Sequence, residues 1–278
     1  MTKKIRMLLY SDGSDVGSLA FRLGRRIARA MANAVDILDV ARSTEQREVS
    51  RQEVETAANE LRAHDISVTL YRRPGFLGQR LLAQAEAMDY DLIVVGSRGR
   101  KGFKRLLAGS RACTILGGVA TSVLIVKGPD PGQIEDILAC SEAGPASRET
   151  VRFAGRLARA LGASVTLLHV MSQVALDEGA REEDLRAEAE ELMERDAREG
   201  LHLEEMLTIL ENEGIEAQAL VRHGLVVEEI VAEAHDGQFD MLVIGAHTTQ
   251  DLTGLLASDL SEQIMLAANR PILIVHQE

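Results

Sequence analysis

The sequence repeats itself along most of its length. Residues 26–31 (RIARAM) recur as 156–161 (RLARAL), 130 positions later, and 91–96 (DLIVVG) recur as 240–245 (DMLVIG), 149 positions later. The chain is therefore a tandem duplication, and its second copy carries 19 additional residues between its second and third strands. The boundary falls at 128–132 (GPDPG), because its prolines and glycines neither continue a strand nor begin a helix.

Each copy alternates short apolar runs with longer helical patterns. A run of consecutive apolar residues, such as 92–95 (LIVV), indicates a strand that is covered on both faces. The alternation predicts an α/β fold, with a doubly wound, five-stranded parallel sheet and flanking helices in each of two domains, 1–128 and 133–278. In the first copy, strands are predicted near 4–10, 35–40, 66–71, 91–96 and 122–127, and helices at 16–32, 45–64, 76–89 and 108–118.

Composition excludes several classes of protein. The net charge of −12 and the absence of tryptophan argue against a nucleic-acid-binding surface. No run of 18 apolar residues is present and the first residues lead directly into a predicted strand, so we expect a cytoplasmic protein that does not associate with membranes. Two cysteines cannot build a disulfide framework, and the seven scattered histidines give no metal-binding pattern.

A glycine-rich basic loop follows the predicted fourth strand. Gly96 and Gly99 let the backbone approach a ligand closely, and Gly109 with Ser110 begins the next predicted helix, whose N-terminal N–H groups attract anions. The pattern predicts a polyphosphate site, although it is neither a Walker A motif nor the Rossmann fingerprint. The alternative is a surface loop whose glycines form turns and whose cations aid solubility. Six cations and no acid lie in this stretch: Arg98, Arg100, Lys101, Lys104, Arg105 and Arg111.

This loop carries a resemblance to a known family. The spacing Gly96-x2-Gly99-x9-Gly109-Ser110 resembles the ATP-binding signature of the universal stress protein family, and 122–127 (SVLIVK) is similar to that family's last strand. The resemblance covers both copies, so the chain resembles a tandem universal stress protein. It implies a Rossmann-type fold in each copy and ATP, together with Mg²⁺, as the bound cofactor.

The resemblance also implies roles for individual residues. The glycines and Ser110 would hold the triphosphate and Arg98 would line it, while Asp12 would face the adenosine part and Val40 would lie against adenine. These roles agree with the chemistry, because a carboxylate accepts hydrogen bonds from ribose hydroxyls and an aliphatic side chain can cover a purine face. The implied ATP-binding residues are Asp12, Val40, Gly96, Arg98, Gly99, Gly109, Ser110 and Arg111.

The second copy departs from this pattern. Its loop begins at Gly245, but Thr248 and Ala257 stand where the first copy has its second and third glycines, and 246–260 contains two acids and no Lys or Arg. The position that matches Asp12 is Glu142, or alternatively Ser141 or Cys140. We therefore expect ATP in the first copy only. The second copy would then have a different ligand or be a scaffold domain, and the sequence favours the scaffold.

The long acidic segment of the second copy coincides with its insertion. Residues 177–213 contain fifteen acids and four arginines, and apolar residues at helical spacing predict a helix whose outer face is acidic, with a break at Gly200. Such a segment could dock a basic partner or form a lid. A solvated helix face that keeps the protein soluble is the more common explanation.

By the resemblance, the chain would be a regulatory or sensor module in the response to cellular stress that binds ATP rather than hydrolysing it. No obvious base accompanies the phosphate-binding residues, so at most slow hydrolysis is expected. The alternatives are a slow ATPase or adenylylating enzyme, and a nucleotide-free interaction protein. The family's use of the last strand for dimerisation implies that the apolar strands 122–127 and 271–276 make the two copies an internal pseudo-dimer. A homodimer through these edges is also expected.

Overall fold

The computed structural model describes residues 4–11, 14–40, 44–72, 77–96, 121–130, 132–142, 144, 146–171, 188–194, 198–246 and 257–276. The chain divides into two compact units. The first unit is built from the chain up to Asp130 together with Pro271–His276, and the second from Pro131–Arg270.

Ten strands and eight helices are found among the described residues. The strands are β1 (Ile5–Ser11), β2 (Ala32–Asp39), β3 (Ser67–Arg72), β4 (Leu92–Gly96), β5 (Ser122–Val126), β6 (Asp136–Ser141), β7 (Ser164–Met171), β8 (Ala217–His223), β9 (Met241–Gly245) and β10 (Ile272–Val275). The helices are α1 (Asp15–Met31), α2 (Thr44–Ala63), α3 (Leu77–Ala87), α4 (Ala146–Leu161), α5 (Ala189–Glu194), α6 (Arg198–Asn212), α7 (Val226–Asp236) and α8 (Ala257–Ala267). None of these helices is long and apolar enough to cross a membrane.

The sheet of the first unit has the strand order β3-β2-β1-β4-β5-β10. Strands β1 to β5 are parallel, and β10 runs antiparallel to β5, with Leu273 opposite Leu124. The predicted α/β class is confirmed, but the sheet is mixed rather than wholly parallel. The last strand of the second copy pairs with the last strand of the first, so the apolar edge of β5 is covered.

The second unit contains four parallel strands in the order β9-β6-β7-β8. In each unit the first strand of the copy lies between the second and fourth strands, as in a doubly wound sheet. The predicted strands and helices of the first copy agree with the observed ones to within a few residues. The helix predicted at 108–118 lies outside the described residues.

The repeated aspartate that precedes the fourth strand has a structural role in each copy. Asp91 accepts a hydrogen bond from the backbone N–H of Arg6 at 2.8 Å, where β1 begins. Asp240 accepts from the backbone N–H groups of Glu135 and Asp136 at 2.8 and 3.1 Å, where β6 begins. The carboxylate thus ties the start of the fourth strand to the start of the first, which accounts for its recurrence in the sequence.

Between β7 and β8 the described part of the second copy contains two helices, α5 and α6, where the first copy has α2 between β2 and β3. The predicted break at Gly200 is wrong, because Gly200 lies inside the first turn of α6 and is buried. A β-carbon at Gly200 would lie 2.1 Å from the carbonyl oxygen of Leu192 in α5. This glycine therefore permits the two helices to approach each other closely.

Candidate functional site

The strand order of the first unit reverses beside β1. From β1 the chain passes to β2 and β3 on one side, and later to β4 and β5 on the other. Ligands of such sheets bind beyond the carboxyl ends of the strands at this reversal. The carboxyl ends of β1 and β4 are neighbours there, because Leu9 pairs with Val94 near the ends of both strands.

Two of the predicted site residues are described by the structure. Gly96 is the last residue of β4, half-buried and paired with Val126 of β5. Val40 directly follows β2, is fully buried, and donates its backbone N–H to the carbonyl oxygen of Ser11 at 3.0 Å. The other six predicted residues lie outside the described part of the chain: Asp12, Arg98, Gly99, Gly109, Ser110 and Arg111.

A buried hydrogen-bond network connects the ends of β1 and β2. The Ser50 hydroxyl of α2 donates to Asp39 Oδ1 at 2.7 Å and lies 3.0 Å from the Ser11 hydroxyl. All three side chains are buried, so this network fixes the two strand ends next to Asp12 and Val40. Sequence reasoning missed it, because Ser50 is one serine of a helix and nothing in its local pattern identifies its partners.

Sequence reasoning also missed Lys127 at the carboxyl end of β5. It follows β5 directly and is only 7% exposed. Burial lowers the pKa of its ammonium group to about 8, because the charged form is poorly solvated there. A cationic group thus lies at the carboxyl end of β5, the strand adjacent to the one that ends at Gly96.

A second polar cluster of the first unit lies nearer the amino ends of the strands. The Arg6 guanidinium donates to Asp36 Oδ2 at 2.8 Å, and the Tyr90 hydroxyl donates to the same oxygen at 2.6 Å. Burial and the neighbouring Asp36 carboxylate raise the pKa of Tyr90. Both hydrogen bonds are accepted by the buried Asp36 carboxylate, away from the carboxyl ends of the strands, so the cluster stabilises the fold.

The second unit contains a cavity of about 330 Å³ at the carboxyl ends of its strands. The ends of β6, β7 and β9 form its floor, and α4, α7 and α8 border it. Its lining includes Glu142, Val170 and Gly245, which correspond in the repeat to Asp12, Val40 and Gly96. The space therefore lies where the fold of the first copy would place its predicted site. Aliphatic side chains from the helices line one side: Val226, Ile230, Leu260 and Ile264.

His169 supplies a polar group to the cavity wall. It is 6% exposed, and its Nδ1 donates to the carbonyl oxygen of Ser141 at 3.1 Å. The His202 ring lies 5.8 Å away, centroid to centroid. Burial lowers the pKa of both imidazoles, which favours their neutral forms.

Cys140 also lines the cavity. It is partly accessible where it borders the cavity, but the surrounding protein raises the pKa of its thiol to about 12. The thiolate is therefore disfavoured, and Cys140 acts as a small apolar group. Within the described ranges, no group of three or more His, Cys, Asp or Glu residues could hold a metal ion.

Comparison with known proteins identifies the family. The sequence profile of the universal stress protein family matches residues 6–127 and 133–276, which is nearly the whole chain. The chain belongs to the universal stress protein family. It contains the family's domain twice in tandem, as the internal repeat indicated.

Solved structures agree with membership in the universal stress protein family at the level of fold. A universal stress protein from Archaeoglobus fulgidus DSM 4304 matches with a TM-score of 0.67 and 18% identity, over 99% of this chain and 97% of that chain. A functionally unknown protein, PA1789 from Pseudomonas aeruginosa PAO1, matches with a TM-score of 0.68 and 17% identity, over 97% and 92% of the two chains.

A shorter match links the chain to a curated relative. Universal stress protein MJ0577 from Methanocaldococcus jannaschii is 29% identical over 69 residues, which are 25% of this chain and 43% of that protein. The matched segment therefore covers less than half of the relative's length.

Proposed function

We propose that the first copy binds ATP, and that the chain acts as a regulatory or sensing module in the response to cellular stress. The observation that carries the proposal is the glycine spacing from Gly96 to Ser110. The overlapping stretch from Arg98 to Arg111 contains six cationic side chains and no acid. Proteins of the universal stress protein family often bind nucleotides. A cluster of cations in a chain of net charge −12 has a physical reason if it neutralises a polyphosphate.

The topology of the first unit supports this location. The loop follows β4 and Asp12 follows β1, and these two strands are paired at the reversal of the strand order. The corresponding ends of β6 and β9 in the second copy border a cavity, so the fold leaves space for a ligand at this edge.

The proposed roles follow from the chemistry of each residue type. Backbone N–H groups at Gly96, Gly99 and Gly109 would donate to phosphate oxygens, while Arg98 and Arg111 would offset their charge. The Ser110 hydroxyl would join them at the start of the helix. Bound Mg²⁺ would neutralise phosphate charge, with the triphosphate as its main ligand.

The adenosine part would be recognised at the ends of β1 and β2. The Asp12 carboxylate would accept from the ribose hydroxyls, with the Ser11–Ser50–Asp39 network holding the preceding strand end in position. Val40 would contribute to the apolar floor under adenine. These groups bind and orient, and none is an evident base for activating water, so the proposal is binding rather than turnover.

Calorimetry with Mg·ATP tests the proposal. We expect wild-type protein to bind ATP, and Asp12→Ala to bind about tenfold more weakly, because it loses hydrogen bonds to a charged acceptor. Glu142→Ala, the matched change in the second copy, should leave the affinity unchanged.

Two results would overturn this proposal. Folded wild-type protein that binds no ATP would support a nucleotide-free interaction protein. Stoichiometric ADP or AMP formation that Asp12→Ala abolishes would support an enzyme instead.

The homodimer expected from the apolar final strands is also a proposal. Within the described residues β5 already pairs with both β4 and β10, so its edge is occupied inside one chain. A homodimer would therefore use another surface, and light scattering during size-exclusion chromatography would measure it.

A further inference from the structure

The cavity of the second unit has mainly aliphatic walls. The strands contribute Leu168, Val170 and Ile244, and α7 and α8 contribute the four aliphatic side chains named above. The volume of about 330 Å³ falls at the lower end of the range for small-molecule sites. Because binding between such walls removes water from the ligand, an uncharged ligand with an apolar body is favoured over an ion.

Most polar groups of the wall already have partners within the protein. The Ser147 hydroxyl accepts from the backbone N–H of Glu142 at 2.9 Å and donates to the Glu142 carbonyl oxygen. The Ser261 hydroxyl donates to the carbonyl oxygen of Gly245 at 3.4 Å. Glu142 and Thr150 make further interactions of their own. A ligand would therefore have to compete with the protein for each of these groups.

Two neighbouring residues of the wall retain hydrogen-bonding capacity. Ser141 and His169 are paired in register towards the carboxyl ends of β6 and β7, and both line the cavity. The Ser141 hydroxyl is buried and has no hydrogen-bond partner in the described structure. His169 Nδ1 donates to the Ser141 carbonyl oxygen at 3.1 Å, and no hydrogen bond joins its Nε2 to a described residue. Buried polar groups without partners are rare in folded proteins, so these two groups indicate a ligand.

The protonation state of His169 determines which ligand group fits. Burial lowers the pKa of this imidazole, which favours the neutral ring. Because Nδ1 carries the proton that is donated to Ser141, Nε2 of the neutral ring is a hydrogen-bond acceptor. The Ser141 hydroxyl can donate as well as accept. A ligand hydroxyl is complementary to this pair, because it also both donates and accepts.

We propose that this cavity is a second ligand site, which binds an uncharged alcohol with an apolar body. The alcohol donates its O–H to His169 Nε2, and its body lies against the aliphatic walls. The inference does not depend on ATP binding by the first copy. It also differs from the expectation of a ligand-free scaffold domain.

A pair of isomeric ligands tests the need for a hydroxyl. Heptan-1-ol and 1-methoxyhexane have the same composition and similar shape, but only the alcohol has an O–H to donate. Binding is followed by methyl NMR of Ile230, Ile244 and Ile264, which line the cavity, with Ile93 of β4 as the internal reference. We expect saturable shifts at the three cavity isoleucines and about fivefold tighter binding of the alcohol, because the ether lacks one neutral hydrogen bond.

His169→Asn separates the proposed acceptor from the structural hydrogen bond. The shorter carboxamide can still donate to the Ser141 carbonyl from near the position of Nδ1, but it has no atom at the position of Nε2. In this variant the affinity for the alcohol should fall about fivefold, to that for the ether, while the affinity for the ether stays unchanged. His235→Asn, at an exposed position of α7, is the matched control and should bind both isomers like wild type.

The comparison of the two isomers uses wild-type protein, so it is decisive even if His169→Asn does not fold. Equal affinities of wild-type protein for the alcohol and the ether would overturn the proposal, as would equal effects of His169→Asn and His235→Asn. Saturable shifts of the cavity isoleucines with Mg·ATP would assign the cavity to a nucleotide instead. Absence of any shift with both isomers, or shifts of Ile93 to the same extent, would return the second copy to the role of scaffold.

Discussion

At the residue scale, the packing of α1 against the sheet of the first unit depends on one glycine, Gly24. The sequence pattern does not distinguish this glycine from an ordinary helix position. Gly24 lies in α1, on the face that packs against the sheet of the first unit. A β-carbon there would be 2.6 Å from Leu9 Cδ2 and 3.2 Å from Val94 Cγ1, both in buried strands. The helix therefore approaches β1 and β4, the two strands beside the proposed ATP site, only because this side chain is absent.

Gly24→Val tests this packing. We expect a loss of about 2–3 kcal/mol in the free energy of unfolding, because the added branch has no space between α1 and the strands. Ala30→Val, on the exposed face of the same helix, is the control for β-branching and should cost less than about 1 kcal/mol. Urea unfolding measures both, and equal effects of the two substitutions would contradict the packing account.

Because of Lys127, the free energy of unfolding should increase as the pH rises through the alkaline range. Its pKa is about 8 in the folded protein and 10.5 as its ordinary value. Between these values the unfolded chain binds the proton and the folded protein does not, so stability rises with pH in this window and levels off above it. Below pH 8 both states are protonated and the folded state bears the cost of a buried charge.

The prediction is a difference between wild type and Lys127→Met. From pH 7.5 to 10, the free energy of unfolding of the wild-type protein should rise by on the order of 2–3 kcal/mol relative to that of the variant, which lacks the titrating group. Urea unfolding at the two pH values measures this difference. A gain of the same size in Lys127→Met would mean that other groups cause it.

The sequence predicted residues whose role is set by local pattern, and missed those whose role is set by distant partners. Val40 and Gly96 were assigned to strand ends, and they lie there. Ser50 acquires its role from Asp39 and Ser11, which are up to 39 positions away. Lys127 acquires its lowered pKa from burial, which only the folded chain provides.

At the element scale, strands and helices were predictable because their periodicities are strong. Continuous apolar runs gave the strands, and the start of α1 agrees with a Ser14 N-cap, whose hydroxyl accepts from Gly17 N–H. The error at Gly200 arose because glycine usually ends helices, whereas here it relieves a contact with the backbone of Leu192. A tertiary contact overrode the local preference.

The position of β10 could be anticipated only in part. The family resemblance implied that 122–127 and 271–276 join the two copies as an internal pseudo-dimer, and the structure adds that β10 pairs antiparallel with β5 and belongs with the first unit. The first unit therefore depends on residues from the end of the chain. This dependence can be tested without deleting the strand.

Leu273→Ala should weaken the first unit through β10. Leu273 is fully buried opposite Leu124, so the truncation should cost about 2–5 kcal/mol. Hydrogen exchange should show a larger loss of amide protection in β5 than in β8 of the second unit. Asn269→Ala, exposed just before β10, is the control and should change neither strand. A greater loss of amide protection in β8 than in β5 would contradict the assignment of β10 to the first unit.

At the scale of the whole molecule, the two copies of the duplicated domain differ in the chemistry at the carboxyl ends of their strands. Each copy has the same order of its first four strands and the same aspartate at the start of its fourth strand. The edges differ in charge: a basic glycine loop follows β4, whereas the described residues of the second cavity include an acid and no cation. The sequence predicted this asymmetry from the loops, but not that the second copy has a cavity.

We expect ATP to bind to the first copy alone, and native mass spectrometry with added Mg·ATP counts the nucleotides bound per chain. Wild-type protein should carry one ATP per chain. Gly109→Trp should carry none, because a bulky side chain would replace a glycine that is proposed to contact phosphate, whereas Ala257→Trp, the matched change in the second copy, should still carry one. Two ATP molecules per wild-type chain, or one that Ala257→Trp removes and Gly109→Trp does not, would contradict the account.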